Sequence, residues 1–108
     1  MDDIDQKIRD IVATTVATVA PERVILFGSY AYGTPTADSD VDVMVVMPKG
    51  RKATLDTAVK IREKVTASFP VDVLVRGESE FARRLRDRDM FTEQITQKGK
   101  VMYEAVHA

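Results

Sequence analysis

The sequence predicts a small α/β fold in which a short mixed sheet packs against helices. Three observations predict it. Three short apolar runs, Arg23–Phe27, Asp40–Met47 and Val71–Val75, have the length and β-branched content of buried strands. Segments before, between and after them repeat their apolar residues at helical spacing. Prolines and glycines fall at the joints, at Pro21, Gly28, Pro48, Gly50, Pro70 and Gly77. With 108 residues the chain is expected to form one domain over residues 1–108, enough for one core.

In chain order, Ile4, Ile8, Ile11, Val12, Thr15, Val16 and Val19 share one helical face. That helix is rich in β-branched residues and must be held by packing. Pro21 stops it. Arg23–Phe27 is the first strand, and Gly28-Ser29 ends it. Tyr30 to Tyr32 suit a short helix closed by Gly33, and Thr34 to Ser39 read as loop. Asp40–Met47 is the second strand. Leu55, Ala58, Val59, Ile61, Arg62 and Val65 predict a helix of about three turns. Val71–Val75 is the third strand. Ser79 is a candidate cap for a helix holding Phe81 and Leu85. Met90 to Ala105 reads as a last, loose helix weakened by Gly99. No internal repeat or interdomain linker is evident.

Composition narrows the function. There is no cysteine, which removes disulfides, thiolate metal sites and a thiol nucleophile. No run approaches the roughly 18 apolar residues of a membrane span. The charged start MDDIDQKIRD does not resemble a signal peptide, so a cytoplasmic protein is expected. The net charge of -1 gives no overall pull toward nucleic acid, and no direct nucleic-acid partner is expected. Charge is uneven, with a net of -5 over residues 1–48 and +4 over 49–108. The run Arg83, Arg84, Arg86 and Arg88 lacks the aromatics of a base-stacking surface and reads as a salt-laced helix end or partner contact. His107, the only histidine, lies one residue from the C-terminus and is a poor general base.

The chemistry is signalled by misplaced carboxylates. Side chains two apart on a strand share a face, so Asp40, Asp42 and Met44 point one way and Val41, Val43 and Val45 the other. Asp42 sits inside an apolar run, where an aspartate is seldom found unless paired. Asp72 repeats the anomaly in the third strand. If the two strands are neighbours, the carboxylates gather on one face, and a divalent cation would relieve their repulsion. Oxygen-only ligands suit Mg²⁺ or Mn²⁺. The ordinary reading, turn residues at Asp38-Ser39-Asp40 and unrelated edge charges at Asp42 and Asp72, stays open at this point. Gly28 allows a sharp turn and a close backbone approach, and Ser29 can bond a phosphate oxygen. GSYAYG has neither the Gly-Lys-Ser/Thr of a P-loop nor the spacing of a dinucleotide fingerprint.

Taken together, Gly28, Ser29, Gly33, Ser39, Asp40, Asp42 and Asp72 form a long spaced pattern. In it the chain resembles the minimal nucleotidyltransferases of the DNA-polymerase-beta-like superfamily, and through them the antitoxins of HEPN/MNT toxin–antitoxin pairs. The resemblance extends to Gly99-Lys100-Val101-Met102-Tyr103 and covers nearly the whole chain. It implies the small nucleotidyltransferase fold. It implies AMP transfer from ATP to a hydroxyl, with Asp40, Asp42 and Asp72 holding two Mg²⁺ ions and Asp72 helping to activate the acceptor. Gly28 and Ser29 would hold the outer phosphates, near Gly33, and Ser39 would orient the aspartate loop. The implied acceptor is a tyrosine of a small HEPN RNase toxin, in a hetero-oligomer or beside a homodimer. Two alternatives are an antitoxin that neutralises by contact alone and transfer to a small hydroxylated molecule. One departure stands out: Tyr30, Ala31 and Tyr32 fill the stretch where such proteins often carry an arginine. Arg51, Lys52, Lys60 and Arg62 are the candidate replacements.

Overall fold

The computed structural model describes residues 4–51, 55–67 and 69–107. Its elements run α1 (Ile4–Val19), β1 (Arg23–Phe27), α2 (Ser29–Tyr32), β2 (Val41–Met47), α3 (Leu55–Lys64), β3 (Val71–Gly77), α4 (Glu78–Arg86), α5 (Met90–Lys98) and β4 (Lys100–Glu104). The strands form one mixed sheet in the order β3-β2-β1-β4. β1 pairs antiparallel with β2 and with β4, and β2 pairs parallel with β3. The parallel pair needs a crossover, which α3 supplies.

Period-two alternation in β2 divides the core into two layers. Val41, Val43, Val45 and Met47 pack with Val24, Leu26 and Val73 under α1 and α3, which contribute Ile8, Ile11, Val12, Val19 and Ile61. Met44 and Val46 face the other way, with Ile25 and Phe27, under Phe81 of α4 and Ile95 of α5. β2 is central and covered on both faces, which explains its nearly unbroken apolar run. In α1 the buried stripe includes Thr15, whose hydroxyl donates to the Ile11 carbonyl at 2.8 Å and so carries no unsatisfied group into the core.

The sequence expectations meet four corrections. β2 begins at Val41, so Asp40 stands just before the strand. α3 buries Thr57, Ala58 and Ile61, whereas Leu55 and Val59 are exposed; its apolar face is rotated from the expected one. α4 starts at Glu78, which places Ser79 inside the first turn, and Gly77 at the cap position makes no side-chain bond. The last expected helix stops at Lys98 and continues as β4. The cause is Gly99, whose backbone is extended (φ -73°, ψ 169°). A methyl there would strike the Ile95 and Leu26 carbonyls and the Ile25 side chain. The open edge of β1 takes up the following residues as a strand partner, and this tertiary pairing overrides local helical preference.

Candidate active site

Three strands bring three side chains into one cross-sheet row. Phe27 of β1 lies opposite Asp42 of β2, and Asp42 lies at the same register position as Asp72 of β3. Partners at one register position share a face, so the two aspartates are neighbours on the side that carries Met44 and Val46. Further along these strands α4 and α5 cover that face. At the Phe27–Asp42–Asp72 row Asp42 is half-buried and Asp72 is exposed.

β1 ends at Gly28, whose φ of +77° and ψ of -165° belong to a region that only glycine occupies readily. A Cβ on Gly28 would also collide with Oδ2 of Asp42. Backbone conformation and contact thus both require glycine, and the turn is pressed directly against the carboxylate. The Gly28 carbonyl accepts from the amides of Ala31 and Tyr32, both at 3.0 Å, which starts α2. The amides of Ser29 and Tyr30 precede these bonds. Gly33 closes α2 in the left-handed region at φ +82°.

Burial raises the Asp42 pKa above its ordinary value, and the charges of Asp72 and Asp40 raise it further, in that order. Asp40 is exposed at the mouth of β2. The loop before it is fixed by Ser39, whose Oγ accepts from the Thr36 amide at 2.8 Å while its own amide donates to the Thr36 carbonyl at 3.1 Å. Asp72 stands 3.8 Å from the Arg62 guanidinium, in an exposed pair that adds little stability. Among the described residues, no three acidic or histidine side chains already converge on one point that could hold a metal ion. The donor set still fits a hard cation: the three candidate side chains offer only oxygens, and Asp42 feels both other carboxylates.

One wall of the site was not legible in the sequence. Phe91, in the first turn of α5, meets Phe27 edge to face with ring centroids 5.6 Å apart. The Arg76 guanidinium lies 5.5 Å from the same ring. Phe91 remains partly open to solvent next to Phe27, the first member of the carboxylate row. Only the contact with Phe27 reveals the role of this side chain. Tyr30 packs partly buried toward the α1 layer and Tyr32 toward the α5 layer.

The candidate replacement cations fall in different places. Arg51 donates to the Ala20 carbonyl, before β1, and Lys60 lines a cleft with Met47 at the far end of β2. Met47 is five residue steps along the strand from Asp42, about 16 Å. Arg62 is at the site, beside Asp72, and Lys52 lies outside the described residues.

The sheet, the turn and the carboxylate row can be set beside known proteins. A curated relative from Methanocaldococcus jannaschii, provisionally named a protein adenylyltransferase, is 28% identical over 82 residues, covering 76% of this chain and 78% of its own. A crystal structure from Sulfolobus solfataricus, provisionally named a nucleotidyltransferase, superposes with a TM-score of 0.62 at 19% identity over 92% of this chain and 78% of that one. A toxin–antitoxin structure with AMP-PNP superposes with a TM-score of 0.62 at 20% identity, over 90% and 73%. Another toxin–antitoxin structure, with a TM-score of 0.61 and 18% identity over the same shares, carries Asp-to-Glu changes at two aspartates spaced as Asp40 and Asp42 are here. These structures share the fold. The model of the nucleotidyltransferase domain matches residues 5–101, from α1 through the turn and both aspartate-bearing strands into β4, and the chain belongs to that family of nucleotidyltransferases.

Proposed function

We propose that this nucleotidyltransferase moves AMP from ATP to a tyrosine of a partner HEPN RNase toxin and so acts as its antitoxin. The observation that carries the reading is the pairing of Asp42 and Asp72 at one register position, with Gly28 packed on the Asp42 carboxylate. A relative named for protein adenylylation and fold neighbours from toxin–antitoxin complexes support the choice of acceptor.

Asp40, Asp42 and Asp72 would hold Mg²⁺, or Mn²⁺, and such ions supply Lewis acidity at the transferring phosphorus and neutralise charge on its oxygens. Gly28 and Ser29 bind the outer phosphates, and Ser39 keeps the loop that presents Asp40. Asp72, exposed at the edge strand, faces the acceptor side and takes the proton of the attacking hydroxyl. A bond forms between that oxygen and the α-phosphorus as the bond to the β-phosphate oxygen breaks. Pyrophosphate leaves and the proton passes to solvent. Fixing both reactants in line removes much of the entropic barrier. The partner chain supplies the acceptor surface.

The test is intact-mass spectrometry of the co-purified partner after incubation with ATP and Mg²⁺, beside an Asp42→Ala control. The expected result is a gain of one adenylyl group per transfer, absent in the control. No gain, with the complex still tight, replaces this reading with neutralisation by contact.

A further inference from the structure

The turn and loops of the site carry no positive charge. From Val24 to Pro48 there is no lysine, arginine or histidine, while Asp38, Asp40 and Asp42 fall within that stretch and Asp72 joins them from β3. A nucleotide polyphosphate bound at Gly28-Ser29 needs cations beyond those that neutralise the aspartates, and the fold must bring them from other elements.

We infer that the α5–β4 corner, Lys98-Gly99-Lys100, provides them. This rests on the nucleotidyl-transfer reading above and names its phosphate-binding side chains. Gly99 sits so close to β1 that any Cβ would meet the Leu26 carbonyl and the Ile25 side chain. That approach fixes the corner against the last residues of β1. Lys100 pairs with Leu26 in the ladder, two residues before Gly28, or about 7 Å along the strand. A flexible four-carbon lysine stem covers most of that distance, on the sheet face that Leu26 shares with α1, from which Tyr30 of α2 is also approached. Lys100 also lines a cleft of about 240 Å³ with Arg9 and Tyr30, the second residue of α2, and with Asp5. Lys98, on the other side of Gly99, ends α5, the helix that packs over Phe27 and Met44 on the face that Asp42 shares. Both lysines are exposed, and among the described residues neither has an ion-pair partner. By contrast, Arg62 is already engaged with Asp72 and the Val73 carbonyl. Arg51 and Lys60 lie beyond reach at the far end of the sheet. The corner therefore brings two lysines, unpaired among the described residues, beside the strand end that leads into the phosphate turn, with Lys100 lining the cleft that reaches Tyr30.

The experiment measures ATP affinity with a fluorescent ATP analogue and Mg²⁺, together with KM and kcat for AMP transfer, in the protein with its partner. Lys98→Ala/Lys100→Ala is expected to weaken binding and raise KM about tenfold, with kcat within about twofold. Lys98→Arg/Lys100→Arg should retain affinity. Lys60→Ala, at the far end, serves as the charge control. The wild type should also lose ATP affinity more steeply with added salt than the double alanine variant. Unchanged affinity in the double variant, or an equal loss in Lys60→Ala, overturns the assignment. A poorly folded alanine pair is replaced by Lys98→Gln/Lys100→Gln, read the same way. If the wild type transfers no AMP, the functional reading fails, while the binding measurement still decides the corner.

Discussion

The two ends of one sheet face treat charge in opposite ways. At the end covered by α4, Arg23 and Arg76 extend the rows of Val46, and each is compensated. Arg23 donates to Glu78 at 2.8 Å and lies over the Phe81 ring. Arg76 donates to the Thr92 hydroxyl at 2.9 Å and lies over Phe91. One group is left over, the buried Nε of Arg23, for which no acceptor is found among the described residues. At the other end Asp42 and Asp72 stand side by side with like charge, and burial adds to the cost. The sheet is the same and so are the strands. The covered end is arranged for stability, and the open end spends stability to keep two acids together.

The comparison is broken most severely by Asp42→Asn. Transfer should fall at least about a hundredfold. The melting temperature without divalent ions should stay level or rise, because a like-charge contact has gone. A large drop in melting temperature would make Asp42 a structural residue. At the covered end Phe81→Ala should do the reverse. It removes a side chain only 3% exposed and should cost about 3 to 5 kcal/mol in denaturant unfolding, with transfer preserved where the variant remains folded. A variant as stable as the wild type would remove α4 from the account of the core. The smallest effect sharpens the comparison. Asp89 caps α5 by accepting from the Thr92 amide at 3.0 Å, and bonds to the Thr92 side chain and amide hold its pKa below the ordinary 3.8. Its contribution is present above that value and is lost as pH falls through the depressed one. The stability gap between wild type and Asp89→Ala should therefore close under acid, and a gap that widens would contradict the cap.

Much of this was legible in the sequence because strand signals are local. The three apolar runs, the helical face of α1 and the turn at Gly28 all appear in their own residues. The adjacency of Asp42 and Asp72 was expected on the condition that their strands pair, and the parallel register meets it. β4 was not legible. Lys100–Glu104 has too few residues to show its period, and its conformation is set by β1, more than seventy residues earlier. Gly99 showed itself as a weak helix residue, whereas its role is close approach to another backbone. Phe91 and the position of Lys100 were hidden for the same reason: each is defined by what the fold brings to it.

The register of β3 limits where this chain can change length. Side chains alternate along the strand, so adding or deleting one residue between Val71 and Val75 would exchange the faces of everything beyond it. A deletion there would bring a valine to the position of Asp72, or turn a carboxylate toward the valines under α1 and α3. Among its described residues, the connection between α3 and β3 carries no such alternation. Insertions tolerated during divergence should therefore gather in that connection, and a β3 one residue longer or shorter would mark a relative that has given up the chemistry.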